Sequence, residues 1–179
     1  MKRTNIIFGF ALLILGFGGS VARGQSGPAM PFVDKGACPF ECCTYRQWTV
    51  EKPTAIRREM NSTSATLFSV KKGEKVQGMT GVVITSKPGV VKILKNTKIG
   101  EINVKRGETV YALTYLGEGF FRIWRKGKLI EGDISGDSKL FKFVNQPVSV
   151  WWVKIKNRRG KIGWSKQPDN FGNKDKCGN

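Results

Sequence analysis

The sequence contains no histidine. That absence removes Ser-His-Asp and Cys-His catalysis, histidine-ligated metals and the commonest proton shuttle near neutral pH. Acids are also scarce: 13 Asp and Glu stand against 31 Lys and Arg, for a formal charge of +18. There is no Cys-x-x-Cys redox pair, no Gly-x4-Gly-Lys-Ser/Thr phosphate loop and no EF-hand spacing. No stretch carries a sustained helical apolar period, and after Phe17 there is no long apolar run, so no stable membrane span is expected. No cofactor is called for.

The chain opens on Met1-Lys2-Arg3, followed by an apolar run from Ile6 to Phe17 and small residues up to Gly24. A basic start, a short apolar stretch and a small-x-small site together read as a secretory signal peptide over 1–24. Its removal takes away Lys2, Arg3 and Arg23 and lowers the formal charge from +18 to +15. The expected location is periplasmic or secreted.

Four cysteines then become candidates for disulfides, because exported proteins meet an oxidising environment. Cys38, Cys42 and Cys43 lie within a 25–47 segment, and Cys177 lies in a 167–179 tail. Direct pairing of the neighbours Cys42 and Cys43 strains the intervening peptide. The expectation is a local bridge from Cys38 to Cys42 or Cys43, with the remaining one joined to Cys177. The long bridge would contribute roughly 4–5 kcal/mol by restricting the unfolded chain. The rival, a four-thiolate zinc site, has poor ligand spacing here.

From Trp48 onwards short alternating segments are separated by glycine turns such as Lys72-Gly73, Gly117-Glu118-Gly119, Lys126-Gly127 and Arg159-Gly160. This pattern predicts an all-β protein. Expected strands are 47–51, 65–70, 75–79, 82–85, 90–94, 109–116, 120–125, 128–131, 150–156 and 161–165. Residues 25–34 read as a loose leader, 53–59 as the one place for a short helix, and 134–145 as a mobile insertion. There is also an internal echo: Val70-Lys71-Lys72-Gly73-Glu74-Lys75-Val76 returns as Val104-Lys105-Arg106-Gly107-Glu108-Thr109-Val110. It suggests two copies of one small β unit.

These segments resemble bacterial SH3-like domains. The resemblance rests on Ala55–Ser64 as first strand and loop and on Lys72-Gly73-Glu74-Lys75-Val76 as strand entry. Trp151-Trp152-Val153-Lys154-Ile155 and Gly160-Lys161-Ile162-Gly163-Trp164 resemble the closing hairpin. Gly117–Trp124 and Gly127–Gly132 hold similar places in the second copy. The resemblance implies two small SH3-like barrels. The first copy has no closing hairpin before the second begins, which suggests a nested order. A first barrel of 48–80 plus 147–166 would then hold a second, 82–135, as an insert. The alternative is two barrels in sequence.

Catalytic constellations are weak. Glu131, Asp133 and Asp137 form the one local acid cluster, in a glycine-rich stretch that reads more simply as a polar loop. Strand alternation puts Arg122 with Trp124, and Trp152 with Lys154 and Lys156. With Tyr115, these six residues are the candidate ligand contacts, since aromatic faces beside cations can hold peptides, glycans or polyanions. The competing reading packs the tryptophans between the barrels under Lys and Arg stems. The run Lys154, Lys156, Arg158, Arg159, Lys161 reads as a solvated hairpin edge. The expected role is therefore non-enzymatic binding. The resemblance implies a cell-wall peptide or glycan, such as peptidoglycan, or an envelope protein partner. The alternative is electrostatic binding of polyanions such as nucleic acid or an anionic envelope polymer.

Overall fold

The computed structural model describes residues 27–177, so the expected signal peptide, 1–24, lies outside the described residues. Among the described residues there is no α-helix, and the one helical turn is the 3-10 turn Pro168–Asn170. The strands in chain order are β1 (Phe32–Lys35), β2 (Gln47–Val50), β3 (Thr54–Arg57), β4 (Thr66–Val70) and β5 (Lys75–Lys87). Then come β6 (Gly89–Ile93), β7 (Thr97–Ile99), β8 (Ile102–Val104), β9 (Thr109–Gly117), β10 (Phe120–Arg125) and β11 (Lys128–Asp133). The last are β12 (Phe141–Asn145), β13 (Val148–Lys156), β14 (Ile162–Ser165) and β15 (Phe171–Gly172). The protein is all-β.

An eight-stranded sheet runs β15-β2-β5-β13-β14-β3-β4, and β1 also pairs with β5. A five-stranded sheet runs β12-β6-β9-β10-β11, and β7 and β8 form a hairpin that lies against β11. Each sheet covers its own core. One core holds Trp48, Val50, Ile56, Val70, Val76, Val153, Ile155 and Phe171. The other is built around Val91, Ile93, Val104, Val110, Phe121, Ile123 and Phe141. Period-two alternation produces both: in β6, Val91 and Ile93 are buried while Lys92 is exposed.

The two strand orders match element for element. β2, β5, β13, β14, the β3–β4 hairpin and β15 occupy the places of β6, β9, β10, β11, the β7–β8 hairpin and β12. The correspondence extends to single hydrogen bonds. The Gly73 amide donates to the Val50 carbonyl at 2.8 Å, and the Gly107 amide to the Ile93 carbonyl at 2.8 Å. Glu74 N–H donates to Lys71 O at 3.1 Å, as Glu108 N–H does to Lys105 O. Both glycines sit at φ +86, a conformation side chains avoid. Phe171 opposite Val50 is matched by Phe141 opposite Ile93. The echo in sequence is a repeat in three dimensions.

The second unit lies in the chain between β5 and β13, which pair with each other from Gln77 to Lys87 and Val148 to Lys156. Its boundaries differ from those expected. β5 continues past residue 80 to Lys87, so the second unit starts at Gly89 and extends beyond 135 through β12. The tail contributes β15 to the first unit. Two segments expected as separate strands, 75–79 and 82–85, are one strand, because β13 pairs along the whole length.

Three local expectations are corrected. Residues 32–35 are no loose leader: β1 pairs with Val82–Thr85. Residues 54–57 are strand β3, held by β4 and by Trp164 of β14. The stretch 134–145 is packed, with Ile134 fully buried and β12 paired to β6. Its apolar residues, Ile134, Leu140, Phe141 and Phe143, supply one side of the second core.

Disulfides join Cys38 to Cys43 and Cys42 to Cys177. They consume all four thiols, so a four-thiolate zinc site has no ligands. Disulfides persist in oxidising compartments outside the cytoplasm. Among the described residues, no helix is long and apolar enough to cross a membrane. Between the sheets, Thr85 donates from Oγ1 to the Leu113 carbonyl at 2.9 Å, and Arg122 of β10 reaches Asp34 of β1.

Candidate functional site

The six candidate contacts fall on both units, three on β9 and β10 and three on β13. Arg122 is engaged. Its Nε lies 3.2 Å from the buried Asp34 carboxylate, as an ion pair not aligned for a hydrogen bond, and its Nη2 lies 3.0 Å from Glu131. It ties β10 to β1 and to β11. Trp124 stands edge-on to Tyr111 at 5.6 Å between ring centres. Tyr115 packs edge-on against Phe121 at 5.1 Å, although part of its ring is exposed.

Trp152 is only 5% exposed, so it is a packing residue rather than a contact surface. Alternation places it opposite Val153 and Ile155, next to Val82 in the register. The Lys154 ammonium lies 5.4 Å from the centre of the Trp164 ring, and the two residues are cross-strand partners. This is a cation–π contact within the protein. Lys156 is exposed at the end of β13.

The acid cluster builds a loop. Asp133 Oδ1 accepts from the amides of Ser135 and Gly136, at 2.9 and 3.1 Å, and Asp137 accepts from Lys139 N–H at 2.7 Å. Glu131 answers Arg122. Elsewhere, the Glu41 carboxyl is raised from its usual value by its hydrogen bond and repulsion with Glu118. Burial pushes the Tyr45 phenol up to about 12, and its hydroxyl donates to the Ala37 carbonyl.

A more coherent site lies at the open end of the first unit. A groove of about 500 Å³ is lined by Phe68, Ser69, Lys71, Glu74, Asn157, Arg158, Arg159 and Lys161. One wall is the end of β4 and the turn into β5. The other is the tip between β13 and β14. That tip is well ordered by hydrogen bonding: Asn157 Oδ1 accepts from the amides of Arg159 and Lys161, both at 3.0 Å. Asn157 and Gly160 add backbone bonds within the same turn. Lys71, Arg158, Arg159 and Lys161 make no ion pair among the described residues. Their field is therefore directed at the groove and at solvent.

At the twin position in the second unit the acid is ion-paired. There the tip is the two-residue turn Lys126-Gly127, and Glu108 stands where Glu74 stands in the first unit. Arg125 donates to Glu108 Oε2 from Nε and Nη2 at 3.0 and 2.8 Å, and Lys126 lies 3.5 Å away. Burial raises the Glu108 carboxyl, but the bonds from Arg125 and from the Lys105 amide, with Lys126 nearby, outweigh it. The carboxyl is held below its usual value. In the first unit the arginines of the longer tip line a groove with Glu74 but make no ion pair with it. A second groove of about 640 Å³ flanks β7 and β8, but it offers two lysines and no aromatic ring.

The basic run on the β13–β14 hairpin was legible in sequence, but its opposing wall was not. Lys71 and Arg158 are far apart in the chain. The available signal was the repeat, with a two-residue tip in one copy and a five-residue tip in the other. Neither protein-family models nor curated proteins nor solved structures provide a match to this chain.

Proposed function

We propose that the protein is a non-enzymatic binding module, periplasmic or secreted, made of two SH3-like units, and that the groove of the first unit holds its ligand. The all-β repeat with glycine-turn entries and a Trp-bearing closing hairpin supports the SH3-like reading. The two disulfides support the compartment. The single observation that carries the site is the contrast between twins: Glu108 is ion-paired with Arg125, while Glu74 lines a groove whose four cations make no ion pair. Its ligand carries carboxylates or other anions. A cell-wall peptide or glycan, or an acidic region of an envelope protein, fits that chemistry. The acids of the loop after β11 are taken up in folding it, which leaves little for hydrolysis.

Retention on purified peptidoglycan at low and at high salt tests this. The wild type should be retained at low salt and, more weakly because its cations are exposed, still at high salt, and Arg158→Glu with Arg159→Glu should be released at both. No retention at either salt overturns the cell-wall reading. The net charge favours a second reading, electrostatic binding of nucleic acid or of an anionic envelope polymer. In that case retention falls steeply as salt rises.

A further inference from the structure

The eight-stranded sheet is an open path with two ends, and the ends are treated differently. At one end β15 has two residues, and the chain around it is tied down. Cys43 bridges to Asp175, Thr44 N–H donates to Lys174 O, and the Cys42–Cys177 disulfide closes the corner. At the other end β4 has five residues and pairs with β3 and with no other strand among the described residues. Apart from the ladder with β3, the backbone of Thr66–Val70 makes no hydrogen bond among the described residues. An uncovered edge of that length is a template for another strand.

Phe68 and Ser69 of β4 line the groove together with Arg158, Arg159 and Lys161, whose charge with that of Lys71 outweighs the one carboxylate, Glu74. A second copy of this chain offering the same β4 edge would bring its own Lys71 and arginine tip against these cations, so like charge opposes self-pairing. An acidic strand meets the opposite sign. The volume of about 500 Å³ suits a few residues of extended peptide.

Resting on the proposed use of this groove, we infer that its ligand is an acidic polypeptide segment that adds to the outer edge of β4 as an extra strand. The β4 backbone supplies the hydrogen bonds, and Lys71, Arg158, Arg159 and Lys161 select for Glu and Asp side chains. Phe68 gives the strand an apolar surface to lie on.

The test uses the intact disulfide-bonded protein and three probes: a peptide alternating Glu with Val and Thr, its Lys counterpart, and heparin as a polyanion without a peptide backbone. Binding is read by fluorescence anisotropy, and amide exchange is read by NMR. The acidic peptide should bind, the Lys peptide should not, and the amides at the outer edge of Thr66–Val70 should become protected. Arg158→Glu with Arg159→Glu should weaken the peptide about tenfold or more, from two lost attractions and two new repulsions. Lys98→Glu with Lys128→Glu, an equal charge change on the second unit, should weaken it far less. Binding of heparin and peptide alike, without protection in β4, overturns strand addition and leaves the basic groove standing. Binding of neither anion overturns both.

Discussion

Arg125 grips Glu108 with two nitrogens on one carboxylate oxygen, at 3.0 and 2.8 Å, and both side chains are less than a fifth exposed. A charge-assisted pair of this geometry, largely out of water, contributes more than a surface ion pair. Removing Arg125 leaves the carboxylate with only the exposed Lys126 and the Lys105 amide. Arg125→Ala should cost about 1–3 kcal/mol in urea unfolding. Arg158→Ala, at the free tip of the other unit, should change stability by less than about 0.5 kcal/mol.

The same carboxyl sets a pH dependence. Glu108 is held below its ordinary value of 4.5, so its contribution is complete above that value. It fades as pH falls below 4.5 towards the lower folded value. Comparing wild type with Glu108→Gln across the acid range should show part of the acid loss missing in the variant. Equal acid dependence in both would mean that the pair adds no net stability.

Gly81 and Gly78 allow β5 to pass beneath large side chains. A Cβ on Gly81 would lie 2.2 Å from Trp151 Nε1 and 2.2 Å from the Tyr45 hydroxyl oxygen. One on Gly78 would lie 2.6 Å from the Trp48 ring. Trp48 is fully buried, and Tyr45 and Trp151 are partly buried against the same core. Gly81→Ala and Gly78→Ala should each destabilise by about 1–3 kcal/mol, measured by chemical unfolding. Met79→Ala, between them on the exposed side, should have little effect.

The two disulfides should differ in strength. Cys42–Cys177 spans 135 residues and Cys38–Cys43 spans 5. In the chain-entropy model these are worth about 5 and about 2 kcal/mol. Paired Cys→Ala replacement at Cys42 and Cys177 should therefore lower the unfolding midpoint more than replacement at Cys38 and Cys43. Proteolysis followed by mass spectrometry without reductant should recover a peptide linking Cys42 to Cys177.

Much of the fold was legible because its signals are local. Alternation in Val90-Val91-Lys92-Ile93 marks a strand whatever surrounds it, and glycine at 73 and 107 marks two turns that need positive φ. Six strands lie outside those expected: β1, β3, β7, β8, β12 and β15. Five of them have only two to four residues, little room for alternation, and β3 was marked as a strand only through the SH3-like resemblance of Ala55–Ser64. β12 follows a polar loop, and its apolar residues have a buried side only because β6 lies beside them. Alternation assigns Trp152 and Lys156 to one face, yet Trp152 is buried and Lys156 exposed, because alternation gives a face but not the cover that face receives. Arg122 looked free in sequence. Its partner Asp34 lies in a segment that sequence reasoning left unstructured.

The sequence by itself determined the strand character, the turn positions, the repeated entry motif and the short list of disulfide pairings. Each depends on neighbours along the chain, or on a pattern that recurs within it. Only the tertiary structure decided that Glu108 is ion-paired while Glu74 lines a groove. It also decided that Cys42 rather than Cys43 reaches Cys177, and that β4 is left as an open edge. Those outcomes depend on which strands lie side by side, over separations from 17 residues for Glu108 and Arg125 to 135 for Cys42 and Cys177. Side-chain alternation carries no record of that order.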